Sequence, residues 1–222
     1  MSDKHDETNE ALVRVQGFWE KYQKVVLIVL AIIVIGGGSW YGYNEYILKP
    51  KEEKASDLLF NAQLYFNQDS SRLVLNGDGE NKGVLYVMEH YSGTKAANLC
   101  KYYAGISYLK MGDFNKAVKY LKDFSTSAQQ IQMMAYGCLG DAYSELNQKT
   151  EAIASYQKAA STFVKDESNS SEYLFRAALL EETTGNTKEA LALYKELKEK
   201  FPKTDKGFQA DKYIYRLSIE KN

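Results

Sequence analysis

Four basic and five acidic residues are spread over the first 24 positions and then charge stops: none occurs from Val25 to Asn44, and Val25 to Ile35 is an unbroken run of eleven Val, Leu, Ile and Ala residues. As a helix, Val25 to Tyr43 would rise roughly 28 Å, close to the ~30 Å hydrocarbon core of a bilayer. Trp19 and Tyr22 flank one end and Trp40, Tyr41, Tyr43 and Tyr46 the other, where amphipathic rings meet headgroups. The pattern predicts a short polar tail over 1–24 and a single transmembrane helix over 25–44. A buried core helix is one alternative. A cleaved leader is another, because Gly36, Gly37, Gly38 and Ser39 follow the apolar run like a small-residue cleavage site. Against the leader stand Asp3, Asp6, Glu7, Glu10 and Glu20, since a leader opens with a short basic segment. Arg14, Lys21 and Lys24 on one side balance Lys49, Lys51 and Lys54 on the other, so positive charge does not set the topology. The bulk of the foldable chain lies after residue 44, which points to a cytoplasmic tail and a domain across the membrane.

Beyond the apolar run the hydrophobic period becomes helical. Glu52 to Asn67 places Leu58, Leu59, Ala62, Tyr65 and Phe66 on helical spacing, and Lys82 to Tyr91 supplies a second short helix. Together they suggest that 45–97 holds a linker and a degenerate first repeat. Asn76-Gly77-Asp78-Gly79 between them is a plain turn, with too few oxygen ligands for calcium. Self-similarity then sharpens: Gly105, Tyr108, Gly112, Ala117 and Leu121 recur as Gly140, Tyr143, Asn147, Ala152 and Tyr156, each 35 residues later. A third copy, Ala178, Glu181, Gly185, Ala190 and Tyr194, follows 38 residues beyond the second, and the three extra residues are expected within Lys165 to Ser171. Small residues at matching positions let two helices approach while large ones fill the gaps. Gly112, Asn147 and Gly185 suit the turn between them, where positive φ ends a helix.

This hairpin pattern resembles the tetratricopeptide repeat, a helix-turn-helix of about 34 residues, and Phe201-Pro202 stands where that family places its closing proline. The first two copies lack the proline. The resemblance implies an all-α superhelical solenoid, preceded by the single transmembrane helix, with repeats at 98–132, 133–170 and 171–205. Residues 206–222 become a capping helix with Phe208, Tyr213, Ile214, Leu217 and Ile219. It also places a partner-binding concave wall at Leu99, Tyr102, Tyr103, Ile106 and Leu109, at Met134, Asp141 and Ser144, and at Phe175, Arg176, Leu179 and Glu182. An apolar end beside a mixed-charge end suits an extended peptide or an amphipathic helix. The alternative is that these residues only pack between helices.

Charge and candidate chemistry narrow the function. With 28 basic and 29 acidic residues in 222, the chain has no strong field for nucleic acid. Eighteen tyrosines suit half-buried seams. His5 and His90 have no metal-ligand neighbour at useful spacing, and no phosphate-binding, nucleophile-elbow, CxxC or HExxH motif occurs. The expectation is therefore a non-enzyme without catalytic residues, metal or cofactor. Cys100 and Cys138 are either buried free thiols or a bridge between adjacent repeats.

The whole arrangement of tail, anchor and repeats resembles the membrane-anchored ancillary subunit of the bacterial Sec translocon, the YfgM-like group. Leu75 to Gly79 and Gly93-Thr94-Lys95 resemble its Bacteroidetes-type variant. The resemblance implies a single-pass inner-membrane protein with a periplasmic repeat domain. Its implied partners are translocon subunits, a membrane-bound periplasmic chaperone or exported clients. Two other readings stay open: coordination of envelope growth, division or outer-membrane assembly, and a homo-oligomeric scaffold. No cysteine follows the apolar run to accept a lipid anchor.

Overall fold

The computed structural model describes the backbone of residues 3–219 and the side chains of Phe18, Trp19 and residues 21–219. His5 and the charged side chains at 3–14 and at Glu20, weighed above, lie outside the described residues. The chain divides into two units, 1–51 and 52–222.

In the first unit α1 runs from Asp3 to Tyr43, so the segment expected as a tail is helical from Asp3. A π-helical turn, Asn44–Leu48, follows, and α2 (Lys49–Asn67) begins. Exposed aliphatic side chains line the middle of α1: Leu27, Ile28, Ile32, Ile33, Val34 and Ile35 are each 56–71% exposed. Among the described residues this is the helix long and apolar enough to cross a membrane.

The second unit is helical, with one isolated antiparallel bridge, Gly77 to Lys82, among its described residues. After α2 come α3 (Ser71–Asn76), α4 (Val84–His90), α5 (Lys95–Lys110), α6 (Phe114–Lys122), α7 (Gln129–Glu145), α8 (Lys149–Thr162), α9 (Glu167–Thr183), α10 (Thr187–Lys200) and α11 (Asp205–Ile219). Each helix from α5 to α11 packs on the next, α5 also on α7, and α9 also on α11, the stacking of a solenoid.

The hairpins turn where small or amide residues permit it. Gly112, Asn147 and Gly185 have φ of 77°, 57° and 83°. Beside them Asp113, Gln148 and Asn186 donate backbone N–H groups to Tyr108, Tyr143 and Glu181 at 2.9, 2.9 and 3.0 Å, closing each first helix. Asp69, with φ 58°, and Ser70, donating to Tyr65 at 2.9 Å, repeat the same turn after α2. The helix it opens is α3, which the hydrophobic spacing did not predict because it is only six residues long.

The loop after α3 interrupts the second helix of this unit. Asp78 Oδ1 accepts from the Glu80 and Asn81 backbones at 3.0 and 2.7 Å, and Oδ2 accepts from Tyr65 at 2.6 Å. These bonds hold the Asp78 carboxyl well below the usual carboxylate range, the Tyr65 bond contributing most. Glu52 closes the unit: its carboxylate accepts from Lys95 and Ala96 at the start of α5, at 2.6 and 2.8 Å. A carboxylate satisfies the orphan donors there and matches the helix dipole.

Packing also corrects the register of the repeats. The helix pairs run 95–122, 129–162 and 167–200, so the expected boundaries at 98, 133 and 171 fall inside first helices. The three extra residues do not sit in Lys165–Ser171. They go into the second helix, which grows by five residues from nine in α6 to fourteen in α8 while the loop after it shortens by two, because Ala159 and Ala160 extend the helix and bury where Phe124 and Ser125 leave it. A β-carbon on Gly105 would strike Leu121, and one on Gly140 would strike the Tyr156 ring, so the small-against-large pairs read from the repeats are in contact.

Candidate interaction groove

First helices α5, α7 and α9 stand in a row. Along them lie two adjoining hollows of about 500 and 290 Å³ that share Ser144 and Tyr156. Leu109, Phe114 and Asp141 line the larger, and Arg176, Leu179 and Leu180 the smaller. Five residues of the expected wall, Leu109, Asp141, Ser144, Arg176 and Leu179, therefore come together here.

The others are placed differently. Tyr102, Ile106 and Phe175 are buried in helix packing, which leaves them little surface for a partner. Leu99 and Tyr103 are half-buried, Tyr103 edge-on to Phe66 with its hydroxyl accepting from Gln63 at 3.2 Å. Met134 is exposed, its sulfur 3.9 Å from the Tyr102 hydroxyl. Glu182 is half-buried between Tyr194, which donates to it at 2.9 Å, and Arg216, which pairs with it.

Polar side chains knit the floor. Asp141 Oδ1 accepts from Tyr156 Oη and from Arg176 Nη1, both at 2.7 Å. Arg176 Nε donates to Glu172 at 2.8 Å, and Lys206 approaches the other Glu172 oxygen at 3.3 Å. Burial opposes the Arg176 charge, but its bond to Glu172 and the negative charges of Asp141 and Glu172 outweigh that and raise its pKa. Burial likewise opposes the Glu172 charge and is outweighed by Arg176 and Lys206, so its pKa is lowered. Burial first, then the bond to Asp141, pushes the Tyr156 hydroxyl up.

The same design recurs one step along. Tyr194 of α10, Glu182 of α9 and Arg216 of α11 repeat the order tyrosine of a second helix, acid of its first helix, arginine of the next first helix. Sequence reasoning placed Tyr156 and Tyr194 only as gap fillers and did not select Glu172 or Arg216. The available signal was an acid and an arginine at wall positions of successive repeats. Cys100 and Cys138 are free thiols, both pushed up to about 12 by burial, with Asp141 adding to the effect at Cys138. Neither is activated toward nucleophilic chemistry.

A family model, tetratricopeptide repeat, matches residues 102–162 and again 139–204. Residues 102–204 are tetratricopeptide repeats. Tetratricopeptide repeats are protein-interaction modules, and both hollows along α5, α7 and α9 are lined by matched residues. No curated protein shows significant similarity to the chain.

Proposed function

We propose that the chain is a non-catalytic adaptor, anchored in the bacterial inner membrane by the helix over 25–44, which presents its repeats in the periplasm to a protein partner. The tail over 1–24 lies in the cytoplasm, 45–97 leads into the repeats, and 206–222 closes them. The observation that carries the reading is the groove itself: Leu109, Phe114 and Leu179 offer apolar contact beside the exposed edge of Asp141 and Arg176. Such a mixture fits an extended or amphipathic-helical segment whose apolar residues seat in the hollows and whose polar residues meet the ion pair. A tethered repeat domain of this kind supports an ancillary role at the translocon, linking export to periplasmic chaperones. No cofactor, metal or nucleic acid enters the reading.

Photoreactive residues at Ser144, Arg176 and Leu179, and at Ile28 and Ile32 in the apolar helix, test it in living cells. Translocon and chaperone peptides captured at the groove and at the helix are the expected result. Capture confined to division or outer-membrane assembly factors would replace the translocon role with envelope coordination. Labelling of the repeats by a cytoplasmic-side reagent would overturn the topology.

A further inference from the structure

Helix α11 has one face packed and one face open. α11 buries Gly207, Ala210 and Leu217 against its neighbours, yet Phe208 is 84%, Tyr215 71% and Ile219 52% exposed. With Lys212, also exposed, they sit at steps of four, three and four residues, the spacing of a coiled-coil seam.

We infer that this seam pairs with the same seam of a second copy of the chain, the two α11 helices running antiparallel. The pattern is self-complementary in that direction only. An antiparallel pair centred between Tyr213 and Ile214 layers Phe208 on Ile219 of the other copy and Lys212 on Tyr215 of the other copy. Each lysine then meets an aromatic face, a favourable arrangement for a cation. On the flanks, Gln209 comes nearest Arg216 and Asp211 nearest Ser218, so no like charges oppose across the edges. A parallel pair would instead set Lys212 against Lys212. The two-fold arrangement closes on itself, whereas α11 against another face, such as Phe60 and Leu64 of α2, would propagate head to tail. A seam of four layers is small beside the roughly 800 Å² per partner of a standard interface, so the pairing is a weak one that tethering strengthens.

The test uses the purified full chain in detergent micelles, as two differently tagged copies, one carrying Phe208→Cys and the other Ile219→Cys. Mild oxidation of the mixture should give a 208-to-219 disulfide, identified by mass spectrometry, at least tenfold more abundant than the homotypic product of either copy alone. Adding Tyr215→Asp to both copies should cut that yield at least fivefold. Because Tyr215 projects into solvent, helicity measured by circular dichroism should stay unchanged in that variant. Equal homotypic and heterotypic yields, indifference to Tyr215→Asp, or preferential coupling of Phe208→Cys to a copy carrying Phe60→Cys would each overturn the antiparallel pair.

Discussion

Two junctions between successive repeats share an apolar base but differ in the polar chemistry added to it. Between the first and second hairpins, Tyr102, Ile106, Leu121, Phe124, Ala135 and Leu139 form one buried apolar cluster. Between the second and third, the hydroxyl of buried Tyr156 joins the half-exposed Asp141, Arg176 and Glu172 in a polar chain above an apolar cluster that includes Ala152, Leu174 and Ala177. Ile106 stands one 35-residue period before Asp141 and Leu121 one before Tyr156, while Cys138 and Met134 stand 38 residues before Arg176 and Glu172, so the polar chain arises from replacements at four matched positions. The apolar junction spends its side chains on packing. At the polar junction the same groups that join two helices also line the groove, so in the proposed function cohesion and recognition share residues there.

That contrast can be broken at the apolar side with the largest effect. Leu121→Ala should cost about 3 kcal/mol of unfolding free energy, from lost burial and the cavity left behind, with little dependence on salt. Gly140→Ala should follow at about 2 kcal/mol, because the added methyl meets the ring of Tyr156, while a Gly112→Ala change is resisted by backbone φ instead. Asp141→Ala should cost only about 1 kcal/mol, since Asp141 and Arg176 are partly solvated, and the loss should shrink in high salt. Chemical denaturation of the full chain in micelles, at low and high salt, ranks the three; an Asp141→Ala loss larger than that of Leu121→Ala would reverse the assignment of the two junctions.

pH sharpens the comparison most gently. Tyr156 and Tyr194 are both raised, first by burial and then by the carboxylate each donates to. A phenol with a raised folded pKa keeps its proton after the unfolded chain has lost it, so stability should fall as pH rises beyond about 10. Tyr156→Phe should flatten that decline, whereas Leu121→Ala should leave its slope unchanged. Glu172 works in the other direction: its lowered pKa stabilises the fold above the ordinary carboxylate range, and that contribution is lost as pH falls through its folded value. Denaturation midpoints measured across both pH ranges check these signs.

Much of this architecture was legible because it is periodic. Gly105 with Leu121, and Gly140 with Tyr156, announce themselves by recurring at fixed intervals, and the turn residues Gly112, Asn147 and Gly185 do the same. What periodicity could not supply was depth. Tyr102 and Asp141 both satisfy the wall pattern, yet Tyr102 is buried and Asp141 is not, because the neighbouring side chains that decide burial belong to other helices. Helix α3 escaped for a different reason: its six residues are too few to show a period, and it is held by Val74 and Leu75 in the core rather than by its own pattern.

Glu52 carries an implication for the order of folding. Each later hairpin needs only its neighbour in the chain, so those units can form in sequence as the polypeptide appears. The bond from Glu52 to Lys95 and Ala96 spans more than forty residues, and α2 settles only after α5 exists. The segment synthesised first within the repeat domain therefore waits for α5 before it is secured, and its apolar face of Ala55, Leu59 and Ala62 stays uncovered through that interval.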